Sequence, residues 1–522
     1  MKLNKIIYIV LITILVGSCK QEPIIPEALV PIIPEVVTPT KGSADFTKFV
    51  AIGNSLTAGY QAGALFNEGQ ANSLPLILSK QFSLAQGTTL AFNQPDINSD
   101  YGYYGIAGSL ILGRLILFDP DGPAGPKSAG PAPVGTPGMP APYSTGGTVP
   151  TPFAGDKTKL NNFAVPGILL GQALTPLTGG PSVGNPAFNP LYARFASSPG
   201  TSTILGDALA AQPTFFLFDL GNNDVLGYAV GGGSNSAIFT SVGTFTAYYN
   251  SAIGAILGSN ATRKGVVANI PDVTTIPYFT LVAWNSIALD DATATVLTTK
   301  VATGYNGFLS AMKNGGVITQ AEYDKRKLTY VAGKNGILLS DETLTDLTPY
   351  MAANSSTQPL IPYAQARQAT AADLIPLSAA PILGTAVPGT GGTAVYGVSF
   401  PVGDKYVLIR TEKDEIKART IAFNSIIKAA ADGSNGRIAL ADVNATFTTL
   451  VTNKAGVYNG VTITPSLAPP TGVFSEDGVH PNSRGYAFMA NVFIDAINLK
   501  FGATIPRADL SLYKGTGLPV NP

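Results

Sequence analysis

From Phe46 onward, short apolar runs alternate with longer segments in which apolar residues recur every third or fourth position. A short apolar run bounded by turn residues reads as a strand covered on both faces, and the longer period reads as an amphipathic helix that does the covering. The strands predicted in this way are Lys48–Ile52, Asn161–Val165, Thr214–Leu220, Gly265–Ile270 and Arg437–Ala441. The clearest helices are Glu412–Ala431, with Ile416, Phe423, Ile426, Ile427 and Ala430 on one face, and Ser483–Leu499, with Tyr486, Met489, Ala490, Phe493 and Ile497 on one face. Such alternation predicts an α/β domain built on a mainly parallel sheet.

Two stretches break the pattern. Residues 119–152 are dense in Pro and Gly and carry neither period, which predicts a long loop. Residues 273–404 form a larger interruption, with a weak helix at Ala321–Leu328 and the apolar run Leu374-Ile375-Pro376-Leu377; we read it as an insertion or cap at the ligand-binding edge of the sheet, with that run suited to wall an apolar pocket. The main α/β domain then comprises residues 46–272 and 405–522. Before it, Pro23-Ile24-Ile25-Pro26-Glu27 recurs at Pro31 to Glu35, so residues 20–45 read as an extended Pro-rich tether.

Residues 1–19 have the form of a signal peptide, with Lys2 and Lys5 ahead of the apolar run Ile6 to Val16 and the small residues Gly17-Ser18 before Cys19. The apolar run is too short to span a bilayer as a helix. The segment resembles a bacterial lipoprotein signal, which implies lipidation of Cys19 and a lipid-anchored location at the cell envelope, with the outer membrane as the expected site. The membrane is then a partner through the N-terminal lipid.

Composition narrows the function. Lys plus Arg and Asp plus Glu both number 32, so no net field favours nucleic acid, and we expect no nucleic-acid partner. Charged residues are only 12% of the chain, leaving Ser, Thr, Asn and Gly to solvate its surface. One cysteine and one histidine in 522 residues exclude an internal disulfide and a Cys/His zinc site, and no metal is expected. Any imidazole chemistry falls to His480.

Four segments carry candidate chemistry. Phe49-Val50-Ala51-Ile52-Gly53-Asn54-Ser55 is an apolar strand that delivers Ser55 to a helix start, where serine is also a favoured N-cap. Asp477-Gly478-Val479-His480 precedes the last amphipathic helix and supplies the imidazole and carboxylate that a serine needs to become a nucleophile. Asn222-Asn223-Asp224 follows the strand Thr214–Leu220; it suits a turn, and equally an amide donor to an oxyanion. Pro166-Gly167 follows Asn161–Val165, where Gly167 serves either as a turn glycine or as a backbone N–H donor.

In this order, the four segments resemble the blocks of the GDSL or SGNH hydrolases. The resemblance implies a three-layer α/β/α flavodoxin-like fold with a large insertion, and a serine esterase or lipase that forms an acyl-enzyme without metal or organic cofactor. Carried over residue by residue, Ser55, Asp477 and His480 are the catalytic residues, and the Ser55 N–H, Gly167 and Asn223 hold the oxyanion. Asn54 stands where the family has Asp. The implied substrate is an ester of a lipid, another acyl group or an acetylated glycan. A non-catalytic surface lipoprotein that binds glycan or protein on a hydrolase-like scaffold remains the alternative.

Overall fold

The computed structural model describes residues 38–102, 113–123, 125, 129–147 and 151–522. Cys19 and nearly all of the tether lie outside the described residues. Residues 39–522 cluster as one compact unit. At its centre is a four-stranded parallel sheet of β1 (Phe49–Gly53), β2 (Phe215–Asp219), β3 (Lys264–Ala268) and β4 (Ile438–Ala441), hydrogen-bonded in that order. All five residues of β1 and of β2 are buried. Up to the terminal Gly53 and Asp219 these runs are apolar rather than alternating, because neither face meets water.

Helices surround the sheet, with α2 (Leu74–Gln86) packed against α7 (Ser483–Phe501) and α4 (Val242–Gly258) against α5 (Arg410–Asp432). The predicted face of α7 is fully buried; on α5, Ile416, Phe423 and Ile427 are buried and Ile426 and Ala430 half-buried. Shorter helices stand at the carboxyl edge of the sheet: α1 (Ser55–Ala58) after β1, α3 (Asn223–Val230) after β2 and α6 (Val443–Asn453) after β4. Among the described residues, no helix is long and apolar enough to cross a membrane.

Four expectations change. Asn161–Val165 is no strand but a single parallel bridge beside β1, through Ala51 N to Asn161 O and Phe163 N to Ala51 O. Its asparagines take over the pairing, Asn161 Nδ2 donating to Phe49 O and Asn162 Nδ2 to Thr57 O. Within 119–152, Gly130–Pro133 pairs with Leu115–Phe118 as an antiparallel ribbon. Pro131 and Pro133 hid it from the side-chain pattern, yet they are tolerated because a two-stranded ribbon leaves an outer edge that needs no donor. The end of the expected tether belongs to the folded unit, since Ala44 is buried and Ser43 N donates to Phe501 O. Finally, Leu374–Leu377 walls off no acyl site. Leu374 exchanges backbone hydrogen bonds with Leu408 and packs against the main core, Ile375 bridges to Val282 within a second apolar cluster, and no residue of the run lines the cleft that holds Ser55.

Candidate active site

Gly53 of β1 is in register with Asp219 of β2, so the two strands end level and bring Asn54-Ser55 beside Asn222-Asn223. Asn54, not Ser55, caps α1: its Oδ1 accepts from Leu56 N at 3.0 Å. That arrangement makes Ser55 the first helical residue and frees its hydroxyl from capping duty. Ser55 Oγ lies 2.9 Å from His480 Nε2, and His480 Nδ1 lies 2.8 Å from Asp477 Oδ2, so residues 425 positions apart in the chain form one hydrogen-bonded line.

The loop that carries His480 is held by its own backbone. Asp477 Oδ1 accepts from the N–H groups of Val479 and His480, both at 2.8 Å, and Oδ2 also accepts from Gly63 N at 2.8 Å. Gly478 sits at φ +71 with its carbonyl accepting from Tyr278 N, and a Cβ there would come within 3.0 Å of that nitrogen, so only glycine fits the turn. Burial works to raise the Asp477 carboxyl, but the charge and ring N–H of His480 together with the backbone donors outweigh it and hold the group below the ordinary carboxylate range. An ionised carboxylate at Nδ1 keeps the proton on that nitrogen and leaves the Nε2 lone pair facing the serine. The Tyr60 ring packs 4.8 Å from the imidazole, centroid to centroid.

Of the expected oxyanion donors, Ser55 and Asn223 line the cleft, whereas Gly167 does not and is tied to it through its neighbour Ile168. Asn223 Nδ2 donates to Ile168 O at 2.9 Å, spending one of its two N–H groups on the loop next to Gly167 and leaving the other. Asp224 fixes that loop as well, accepting from Leu170 N at 2.9 Å and from Thr240 Oγ1 at 2.7 Å; burial pushes its carboxyl up to about 6 against those two donors. Gly167 has φ +80 and open space where a Cβ would stand. No acceptor among the described residues takes its N–H.

Sequence reasoning missed Asp219. It ends β2, is fully buried, and accepts from Asn222 Nδ2 at 3.0 Å and Thr57 Oγ1 at 3.2 Å. Burial pushes its carboxyl up to about 6, the two donors drawing it part of the way back. A strand ending Phe-Leu-Phe-Asp was the only available signal. Near it, Asn54 Nδ2 and Asn222 Oδ1 are buried without a partner, an open donor and an open acceptor in the wall of the cleft.

The cleft has a volume of about 100 Å³ and extends from Ser55 and His480 into apolar side chains of α3, α6, α7 and the segment after β3. Val273 and Ile276 bring the start of the 273–404 segment to its rim. Among the described residues, the group able to offer three ligand atoms to a cation is Glu342, Asp404 and Glu412, whose oxygens come within 4.8 Å of one another. Burial and mutual repulsion push Glu412 up to about 8 and Asp404 up to about 7. None of the three lines the cleft.

No protein-family model matches this chain, and no match is found among curated proteins or among solved structures.

Proposed function

We propose that the protein is a serine hydrolase that cleaves carboxylic esters through an acyl-enzyme. The observation that carries this reading is the Ser55–His480–Asp477 line at 2.9 and 2.8 Å, opening onto a cleft at the carboxyl edge of a parallel sheet. A serine bonded to an imidazole that is itself oriented by a buried carboxylate is the arrangement needed to make a hydroxyl nucleophilic. With the 161–165 segment placed outside β1, the sheet runs second-first-third-fourth-fifth in chain order, the flavodoxin-like order, which supports the resemblance to the SGNH hydrolases.

In the first half-reaction, Ser55 Oγ bonds to the ester carbonyl carbon and its proton passes to His480 Nε2. The carbon–oxygen bond to the alcohol then breaks, and the alcohol leaves with that proton. Water repeats the sequence on the acyl-enzyme, releasing the acid and restoring the serine. The negative oxygen of each tetrahedral intermediate is held by the N–H groups of Ser55 and Gly167 and by the free amide N–H of Asn223. The purified full-length chain should hydrolyse p-nitrophenyl esters with a burst of nitrophenol equal to the enzyme present; a chain that turns over none of them fails the reading. Asn223→Ala should lower kcat by about 10² to 10³ with the burst chemistry retained.

The reading places the enzyme at the cell envelope, anchored by lipid on Cys19 and held away from the bilayer by the Pro-rich repeat. Cys19→Ala should move the protein from the membrane to the soluble fraction or stop its processing. Unchanged mature mass and unchanged membrane retention would refute the anchor.

A further inference from the structure

We infer that the site takes an acyl chain of roughly four to ten carbons in preference to an acetyl group, and that Val443, Phe447, Met489 and Val492 set this length. The inference rests on the hydrolase reading above and adds the class of ester.

Most of the polar lining gathers with Ser55: Asn54, Asp219, Asn222, Asn223 and His480 stand at the ends of β1 and β2 or face them. Beyond them the lining is mainly Leu226, Ile276, Phe447, Met489 and Val492, and the two polar residues among these, Asn269 and Thr446, spend their donors on Asp442. Phe447 and Met489 are buried, and Val443 and Val492 pack half-buried against the same core. A hydroxyl-rich group pushed into that wall would lose its hydrogen bonds to water without replacement, whereas a hydrocarbon chain would lose nothing. The sugar of an acetylated glycan therefore cannot occupy it, and an acetyl group would leave it empty.

Two dimensions bound the chain. A cavity of about 150 Å³ holds one benzene, so the roughly 100 Å³ of the cleft corresponds to at least about four carbons. The lining runs from Ser55 after β1 to Val443 after β4, across three strand spacings of about 4.8 Å each, or about 14 Å. A zigzag chain with C–C bonds of ~1.5 Å advances ~1.3 Å per carbon, so about ten carbons reach the far end. The acyl carbonyl bonded to Ser55 Oγ is the fixed point from which this length is counted.

The test measures kcat/KM for p-nitrophenyl acetate, butanoate, hexanoate, octanoate, decanoate and hexadecanoate with the full-length protein. Each methylene buried in the apolar wall should raise kcat/KM about fourfold from acetate upward, with the rise ending by decanoate and hexadecanoate falling below it. Val443→Phe and Val492→Phe should move the maximum to shorter chains and lower the octanoate-to-acetate ratio at least tenfold. Should a variant fail to fold, inactivation of the wild type by alkyl fluorophosphonates of the same lengths reads the same profile without mutation. Turnover with a flat profile, or with acetate best, overturns the acyl pocket while leaving the hydrolase standing. Active variants with an unmoved maximum overturn its location. Absence of turnover on every ester, acetate included, overturns the hydrolase reading itself.

Discussion

Ser55→Ala is expected to lower kcat by 10⁴ to 10⁶ and to leave the fold intact. The loss is large because no other group among the described residues lies within hydrogen-bonding reach of His480 Nε2 as Ser55 Oγ does, at 2.9 Å. Stability should change little, since Asn54 rather than Ser55 caps α1 and the hydroxyl makes no bond that the helix needs. Thermal unfolding of the variant beside its ester hydrolysis separates the two effects. Retention of wild-type turnover would show that the chemistry lies elsewhere, whatever the geometry at the sheet edge.

His480→Ala should cost nearly as much, and the Ser55→Ala, His480→Ala double variant should be little worse than either alone, because members of a triad act as a unit and their losses do not add. The pH profile carries the same logic. His480 must be unprotonated at Nε2 to take the serine proton, so kcat/KM should fall on acidification. Asp477 is held below the ordinary carboxylate range and stays ionised across that fall. Asp219, pushed up to about 6 by burial, is a second titratable group of the cleft. Its raised value means that Asp219 favours the folded state in acid and that this contribution is lost as pH rises through about 6. Asp219→Asn should therefore remove that pH-dependent loss of stability, read by thermal unfolding on either side of pH ~6. Since the chain holds a single histidine, modification by diethyl pyrocarbonate has one imidazole target, and hydroxylamine should restore the activity. Substantial turnover by His480→Ala with an unchanged acid limb would rule out this base.

The strands of the sheet were legible because burial on both faces writes itself as unbroken apolar runs; Phe-Phe-Leu-Phe at 215–218 admits little else. Part of the candidate site was legible for a related reason: Ser55 and Asn223 each follow such a run, so a correct set of strand ends already brings them together, and His480 stood out as the single histidine of the chain, three residues after Asp477. Three features lay outside the reach of pattern. The 161–165 segment supplements its few backbone bonds to β1 with asparagine side-chain bonds, which no hydrophobic period records. Asp219 titrates high only because the fold takes it out of water. The apolar lining of the cleft comes in part from α6 and α7: Met489 read in the sequence as an ordinary core position of its helix and Phe447 carried no signal, so only the tertiary arrangement brings both to the cleft. The choice of Leu374–Leu377 for that wall failed on the same ground, since an apolar run states that it will be buried and not against what.

In this reading Ser55 is a nucleophile activated by His480. Mass spectrometry of the full-length protein after treatment with a fluorophosphonate tests it most directly, because the reagent phosphonylates only a serine whose proton has somewhere to go. One adduct per chain, mapped to the peptide containing Ser55 and abolished by both Ser55→Ala and His480→Ala, is the predicted result. An adduct on another residue, or labelling at Ser55 that persists undiminished in His480→Ala, would contradict it.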